Sequence, residues 1–353
     1  MRNLGKLAVL GITALGLALA GPQDNSLVIG ASQEPRVLAG DFLSVISNQA
    51  IKSEIEQYLF APFIGFNADS QNFPVLATEV PTLENGRLRV TDIGGGKKRL
   101  EMDITIRPDA KWSDGRPITT EDVAFYFEVG KAKGMPVLNP DFWERVNVRI
   151  KDARNFTLIF EPAYYYDTYG PINTYAPKHI MGPEWERVKA AARGLDPQKD
   201  AEKLNELYRN FFIKFSTPQA LNRGAMVYSG PFMLRRWVPG NSIEMVRNPN
   251  FPIKPEGGES KYVQKVVYRF IQNTNSLLVA VIGGSIDATS SVSLTFDQGR
   301  SPQLVRRAPG RFDIWFVPGA IWEHIDINKF ENCQVVKDLG LNDKRTRQAI
   351  LHA

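Results

Sequence analysis

Cysteine is almost absent from this chain: among its 353 residues only Cys333 occurs. No internal disulfide can therefore staple the fold, and Cys333 is either buried or a reactive thiol. Histidine is nearly as scarce. His179, His324 and His352 stand far apart, and none has a second ligand at the spacing of a metal site, so the sequence calls for no metal and no cofactor. There is no Gly-x-Ser-x-Gly elbow; Gly283-Gly284-Ser285-Ile286-Asp287 lacks the final glycine. There is no His-Glu-x-x-His zinc motif either. These gaps weigh against an exported hydrolase, which stays as the alternative from another class. Charge of one sign is also lacking. The net charge is +5, and setting aside Arg2 and Lys6 leaves +3, too weak and dispersed an excess to point to nucleic acid. No repeat or low-complexity tract is present.

What is present begins with a leader-like segment. Arg2 and Lys6 precede a small-and-apolar run over residues 7–20 that ends Ala18-Leu19-Ala20. The small side chains suit signal peptidase, and the run is shorter than the ~20 residues of a spanning helix, so residues 1–20 read as a secretory signal peptide. No cysteine follows for lipid attachment. The expected location is periplasmic or extracytoplasmic. Hydrophobic residues make up 43% of the chain, enough for an ordinary globular core.

In chain order, residues 26–31 read as a first strand and 31–41 as a loop with Glu34-Pro35-Arg36 near its start. Ile51, Ile55, Tyr58 and Leu59 give a helix over 47–60, ended by Ala61-Pro62. Strands are expected over 87–90 and 100–106, joined by the flexible tip Gly94-Gly95-Gly96. A second hairpin is expected over 146–151 and 156–161. Tyr164, Tyr165, Tyr166 and Tyr169 form a dense aromatic cluster, read as loop packing before ligand stacking. His179 reads as structural. Pro183 at a first helical position predicts a helix over 183–193, and Asp196-Pro197 opens another, with Ala201, Leu204, Tyr208 and Phe211 as its buried stripe. Further on, 263–271 reads as a strand and Thr274 as the cap of a helix over 275–282. Residues 312–317 and 322–327 read as a strand pair, and 343–353 as the start of a helix.

Two strings are more particular than these patterns. The first follows the alternating strand 100–106 and reads Arg107, Pro108, Asp109, Trp112, Asp114-Gly115, then Thr119-Thr120-Glu121-Asp122-Val123. Pro108 stops pairing, Asp114-Gly115 supplies a turn, and Thr119 with Asp122 makes a capping box at the start of a helix whose Val123, Tyr126, Phe127 and Gly130 share a face. The second is Tyr228-Ser229-Gly230-Pro231-Phe232, a strand to Trp237, the turn Pro239-Gly240-Asn241, a second strand, and Arg247-Asn248-Pro249.

Together, in this order, they resemble the signatures of the extracytoplasmic solute-binding proteins of family 5, the peptide/nickel/oligosaccharide receptors of ABC importers. Pro74-Val75-Leu76-Ala77, Pro177-Lys178-His179-Ile180 and Trp322-Glu323-His324-Ile325-Asp326 add to the likeness. The resemblance implies an α/β fold: the first lobe of a type II periplasmic-binding-protein fold (cluster C), a mixed sheet with flanking helices plus an inserted α+β subdomain. Residues 21–63 and 228–340 would form the core subdomain, 64–227 the insertion, and 341–353 the start of the crossover to a second lobe. Family members are longer, so the resemblance also implies that this chain is a C-terminally truncated fragment.

By the same resemblance the implied function is capture of extended oligopeptides and delivery to the permease subunits, with no chemistry on the ligand and the receptor a monomer. Oligosaccharides or nickel complexes are the alternatives within the family. The residues expected to face the ligand are Glu34, Pro35 and Arg36, Tyr228, Ser229 and Gly230, and Trp322 and His324. A single lobe should bind poorly, since it offers one wall of a cleft.

Overall fold

Two compact units make up the chain, Met1–Leu304 and Val305–Ala353. The computed structural model describes residues 25–67, 69, 71–164, 176–254, 257, 262–316 and 327–352. The leader reading over 1–20, Tyr165, Tyr166 and Tyr169, and Trp322 and His324 lie outside the described residues.

In the first unit the chain opens with β1 (Ser26–Ala31) and α1 (Ala50–Leu59), then the short pair β2 (Ile64–Phe66) and β3 (Asn72–Pro74). A hairpin of β4 (Leu88–Gly94) and β5 (Lys97–Thr105) leads to α2 (Thr120–Gly130) and α3 (Pro140–Arg145). A second hairpin, β6 (Val146–Ile150) and β7 (Asn155–Phe160), is followed by α4 (Lys178–Ala192), α5 (Ala201–Ser216) and α6 (Pro218–Asn222). The chain then forms β8 (Phe232–Val238), β9 (Ser242–Arg247), β10 (Lys265–Phe270), α7 (Thr274–Ile282) and β11 (Ala288–Thr289), with α8 (Phe296–Gly299) and α9 (Pro302–Val305) closing the sequence of elements.

The five-stranded sheet has the order β11-β1-β10-β9-β8. It is mixed: β1 lies parallel to β10 and β11, while β9 runs antiparallel to β10 and β8. Alternation along β1 assigns its two faces. Ile29 and Ala31 join the main core with Ile51, Ile55 and Leu59 of α1, whereas Val28 packs with Leu277 of α7 and Ile286. Gly30 is on the α7 side because a Cβ there would meet Leu277 Cδ1 at 2.5 Å. Early and late segments of the sequence thus share one sheet, as the mixed α/β fold requires.

The four-stranded sheet, β4-β5-β7-β6, is wholly antiparallel. Leu100, Met102, Ile104, Phe156, Leu158 and Phe160 are buried. On the other face Asp103 meets Arg89 at 2.7 Å and Lys151 at 2.7 Å, and Glu101 meets Arg149 at 3.0 Å. Gly94, Gly95 and Gly96 all have positive φ, a backbone conformation that residues with a Cβ rarely adopt, although a side chain there would meet only open space.

Several boundaries differ from the sequence reading. The helix expected from Pro183 begins at Lys178, and Pro183 lies inside it. The early start is possible because the Lys178 N–H is taken by Asp122 Oδ1 of α2 at 3.0 Å, so another helix supplies the cap. Asp196-Pro197 forms a turn and not a helix start; α5 begins at Ala201, which is exposed, while Leu204, Tyr208 and Phe211 are buried. The cap of α7 is Asn273, whose side chain accepts the Ser276 N–H, and Thr274 is already helical. Residues 312–316 are not a strand.

The second unit has α10 (Gln334–Asp338) and α11 (Lys344–His352). Val336 is buried, no residue of α11 is, and Cys333 is a half-exposed free thiol.

Candidate functional site

Strands β1, β10 and β11 are parallel, so their carboxyl ends meet at one edge, the position at which open α/β sheets leave a crevice for ligands. Residues 32–36, 271–273 and 290–295 follow the three strand ends. They are tied together: Ile271 N donates to Ala31 O at 2.8 Å, Ser290 N to Gly30 O at 2.8 Å, and Ser293 Oγ to the same oxygen at 2.7 Å. The β8–β9 turn reaches the same edge, where Phe270 N donates to Asn241 O at 2.8 Å.

Glu34 is the bolt across this edge. Its Oε1 accepts Trp237 Nε1 at 2.8 Å and its Oε2 accepts the Gly240 N–H at 2.8 Å. Gln49 holds the same segment from behind, accepting Arg36 N at 2.8 Å through Oε1. Pro35 is buried. The Arg36 side chain is exposed and has no partner among the described residues. A fixed backbone carrying one free guanidinium can meet a carboxylate or a carbonyl without first being ordered.

Behind the edge lies a buried charged group. Lys52 Nζ, on α1, donates to Glu56 Oε2 at 3.1 Å and to the Asp41 main-chain oxygen at 2.9 Å. Glu56 Oε1 accepts the Ala39 N–H at 2.9 Å, and the Asp41 carboxylate accepts the N–H groups of Ile46 and Ser47. Burial pushes the Glu56 carboxyl up to about 7 against the pull of Lys52, and raises Asp41 for the same reason. Sequence reasoning missed this group, although Lys52 and Glu56 fall on the face of Ile51, Ile55 and Leu59. A charged i,i+4 pair inside an apolar stripe was the available signal.

The two signature strings come together elsewhere. Ser113 N donates to Tyr228 O at 2.8 Å, Tyr228 N donates to Ser113 Oγ at 3.0 Å, and Asn250 Nδ2 donates to Ser113 O at 3.0 Å. Trp112 is fully buried, its Nε1 donating to Asp122 Oδ2 at 3.2 Å; the same oxygen accepts Thr119 N at 3.0 Å, completing the capping box. His179 Nε2 lies 2.9 Å from Asp114 Oδ2, in a structural pair beside Trp112. Gly130 leaves room for the Trp143 ring, which a Cβ would meet at 2.2 Å.

The expected site residues therefore do not form one cluster. Glu34, Pro35 and Arg36 lie where β8 ends, at Trp237 and Gly240. Tyr228, Ser229 and Gly230 lie where it begins, a separation of about 20 Å at the rise of a strand. Those three are buried: Ser229 Oγ accepts Ala61 N at 3.1 Å and Gly230 N donates to Leu59 O at 2.8 Å. A groove between α2 and α4, lined by Phe125, Glu128, Lys178 and Glu186 among others, has its charges paired, Lys178 with Glu121 and Lys189 with both Glu128 and Glu186. Among the described residues no group of acids, histidine and cysteine is placed to hold a metal ion, and no helix is long and apolar enough to cross a membrane.

The model of the bacterial extracellular solute-binding proteins, family 5 Middle, matches residues 97–353. The chain belongs to this family. A crystal structure of an oligopeptide-binding protein from Thermus thermophilus, complexed with a pentapeptide, is 98% identical with a TM-score of 0.92, covering 94% of this chain and 55% of that one. The oligopeptide-binding protein AppA of Bacillus subtilis is 22% identical over 350 residues, 94% of this chain and 50% of AppA. A Deinococcus radiodurans protein named as a probable ABC transporter-binding protein is 27% identical over 203 residues, 55% of this chain and 30% of that protein. This family-5 chain thus spans about half the length of the relatives it matches, or less. Its fold is that of the type II periplasmic binding proteins, and its family is one of substrate-binding, extracytoplasmic proteins.

Proposed function

We propose that this family-5 chain is the oligopeptide-binding component of an ABC importer. It captures extended peptides outside the cytoplasmic membrane and hands them to the permease subunits as a monomer. It makes and breaks no bond in the ligand. The observation that carries this reading is the 98% identity, over 94% of this chain, to a Thermus protein crystallised with a pentapeptide. Residues 1–20 act as the secretory leader, and residues 21–63 and 228–340 form the core around the insertion 64–227.

The peptide lies along the carboxyl edge of β1, β10 and β11, main chain to main chain. Arg36 faces it, and Trp322 and His324 are the further candidates for contact. Glu34 holds the edge rigid, and Tyr228, Ser229 and Gly230 serve as framework at the opposite end of β8. The other wall of the cleft comes from polypeptide equivalent to the part of the Thermus relative that this chain does not cover. Isothermal titration with penta-alanine tests the reading. The chain extended to the full length of that relative binds tighter than this chain by at least a hundredfold, about 2.7 kcal/mol. Arg36→Ala in the extended form weakens binding without changing stability. Equal affinities, or hydrolysis of the peptide seen by mass spectrometry, would overturn the proposal.

A further inference from the structure

The loop over residues 32–49 is held in a shape that its own sequence does not favour. Ala39 has φ 63° and Ser44 has φ 55°, both in the left-handed region that L residues with a Cβ avoid. Neither is glycine. Each is instead gripped by the buried pair on α1. The Ala39 N–H goes to Glu56 Oε1 at 2.9 Å, and Ser44 Oγ lies 3.5 Å from Lys52 Nζ. Between them the Asp41 main-chain oxygen accepts from Lys52 at 2.9 Å and from Ser44 N at 3.0 Å.

A buried ion pair is a poor way to add stability, because desolvation cancels most of the attraction. What this pair provides is direction. Nearly all of its bonds beyond the pair itself end on one loop, and that loop carries Glu34-Pro35-Arg36. The opposite side of the loop is fixed by one main-chain hydrogen bond and by packing: Leu38 N donates to Ser216 O at 2.9 Å, and Gly40 sits so close to Phe215 that a Cβ would lie 2.4 Å from its Cβ.

We infer that Lys52 and Glu56 are positioning residues for the proposed peptide edge: they hold the left-handed turns of the 32–49 loop and so set where Arg36 stands. This rests on the reading that the edge faces a peptide, but the loop-holding itself does not.

The arrangement also has a sign with respect to pH. The charged groups facing Glu56 are Lys52 on its own helix and Asp41 in the loop; the α5 residues packed there, Phe215 and Ser216, carry no charge. Burial lifts Glu56 from 4.5 to about 7. The closed loop therefore takes up a proton more readily than a loop that has opened Glu56 to water. Closure is favoured at low pH and weakened as pH rises through the folded value.

Hydrogen exchange at the Ala39 amide tests this, after correction for the intrinsic base dependence of exchange, between about pH 5 and about pH 8.5. In the wild-type chain protection falls at least tenfold across this range. In Glu56→Gln, which keeps an acceptor but no titrating group at that position, the part of the fall near pH 7 disappears, and only what the raised Asp41 contributes at the acid end is left. In Lys52→Met the fall moves to higher pH, because the carboxyl loses its cation. The wild-type profile alone carries the test if either variant fails to fold. A pH-independent wild-type profile, or the same profile in Glu56→Gln, overturns the assignment. Penta-alanine titration of the extended chain, wild type and Glu56→Gln, is the second arm. Affinity that follows Ala39 protection supports positioning of the ligand edge. Affinity indifferent to it while protection behaves as described overturns the placement of the peptide and leaves the loop-holding intact.

Discussion

Two loops in this molecule are each built around a buried carboxylate, and they use it in opposite ways. In the loop at Trp112 the acid is Asp122. It is surrounded by neutral donors: the Trp112 indole, the Thr119 N–H and the Lys178 N–H. Burial raises its carboxyl, with these donors pulling back. In the 32–49 loop the acid is Glu56, which has a lysine beside it and left-handed residues beyond. The first arrangement caps two helices and seals a joint. The second carries a charge into the core to hold a single loop. A joint needs only satisfied donors and good packing. A loop that must present a side chain in one place needs more directed bonds than packing provides.

That difference can be broken most forcefully at the joint. Trp112→Ala removes a fully buried ring and leaves the Asp122 Oδ2 donor set incomplete. A loss of about 3–5 kcal/mol is expected, seen as a lower urea midpoint with unchanged slope. Because the Trp112 loop meets the start of β8 and the carboxyl edge meets its end, the peptide affinity proposed for that edge should be unaffected in the folded fraction. An affinity loss exceeding the loss of folded protein would mean that the joint and the edge are coupled.

The sequence made the joint easy to read and the edge hard. Trp112, Asp114-Gly115 and the Thr119–Asp122 box are local signals: a turn, a cap and an apolar body within a few residues. The second string was as plain, since Trp237, Pro239-Gly240-Asn241 and Asn248 mark a hairpin by themselves. What neither string shows is that Ser113 binds Tyr228, because that contact closes over more than a hundred residues. Glu34 was named for its place in a loop, but its bonds to Trp237 and Gly240 made it a fastener. Lys52 and Glu56 were passed over because charge in a helix reads as a wet face until its neighbours are known. Pro183 misplaced a helix start for the same reason: the cap that allows the earlier start, Asp122, comes from another helix.

A smaller effect sharpens the comparison on the edge side. Lys52→Met leaves Glu56 buried without its cation. Breaking such a pair costs about 3 kcal/mol when the remaining group stays charged. Here Glu56 can escape by taking a proton, so the loss should shrink as pH falls below about 7, where the carboxyl is protonated even with Lys52 present, and grow toward alkaline pH. Urea midpoints of the variant and the wild type at several pH values measure this. A loss independent of pH would show that the lysine acts through its bond to the Asp41 carbonyl and not through Glu56.

The smallest effect belongs to a third carboxylate, half-buried at the surface. Asp103, on the outer face of the four-stranded sheet, loses some hydration there, but hydrogen bonds from Arg89, Lys151 and Thr157 outweigh that and hold it well below the usual carboxylate range. The sign is opposite to that of Glu56. A depressed value means that the contribution is complete above the unfolded carboxyl's value near 4 and is lost as the solution is acidified below it. Since its charged partners Arg89 and Lys151 are partly exposed, water and salt screen the cluster, and Asp103→Asn should cost under about 1 kcal/mol at neutral pH. The cost should fall further in molar salt, where the Debye length is about 3 Å. Glu56 is sealed from ions, so the pH response of Lys52→Met should survive the same salt. If both responses were screened alike, the 32–49 loop would be open to solvent, and the contrast between a charge held for position and a charge held at the surface would fail.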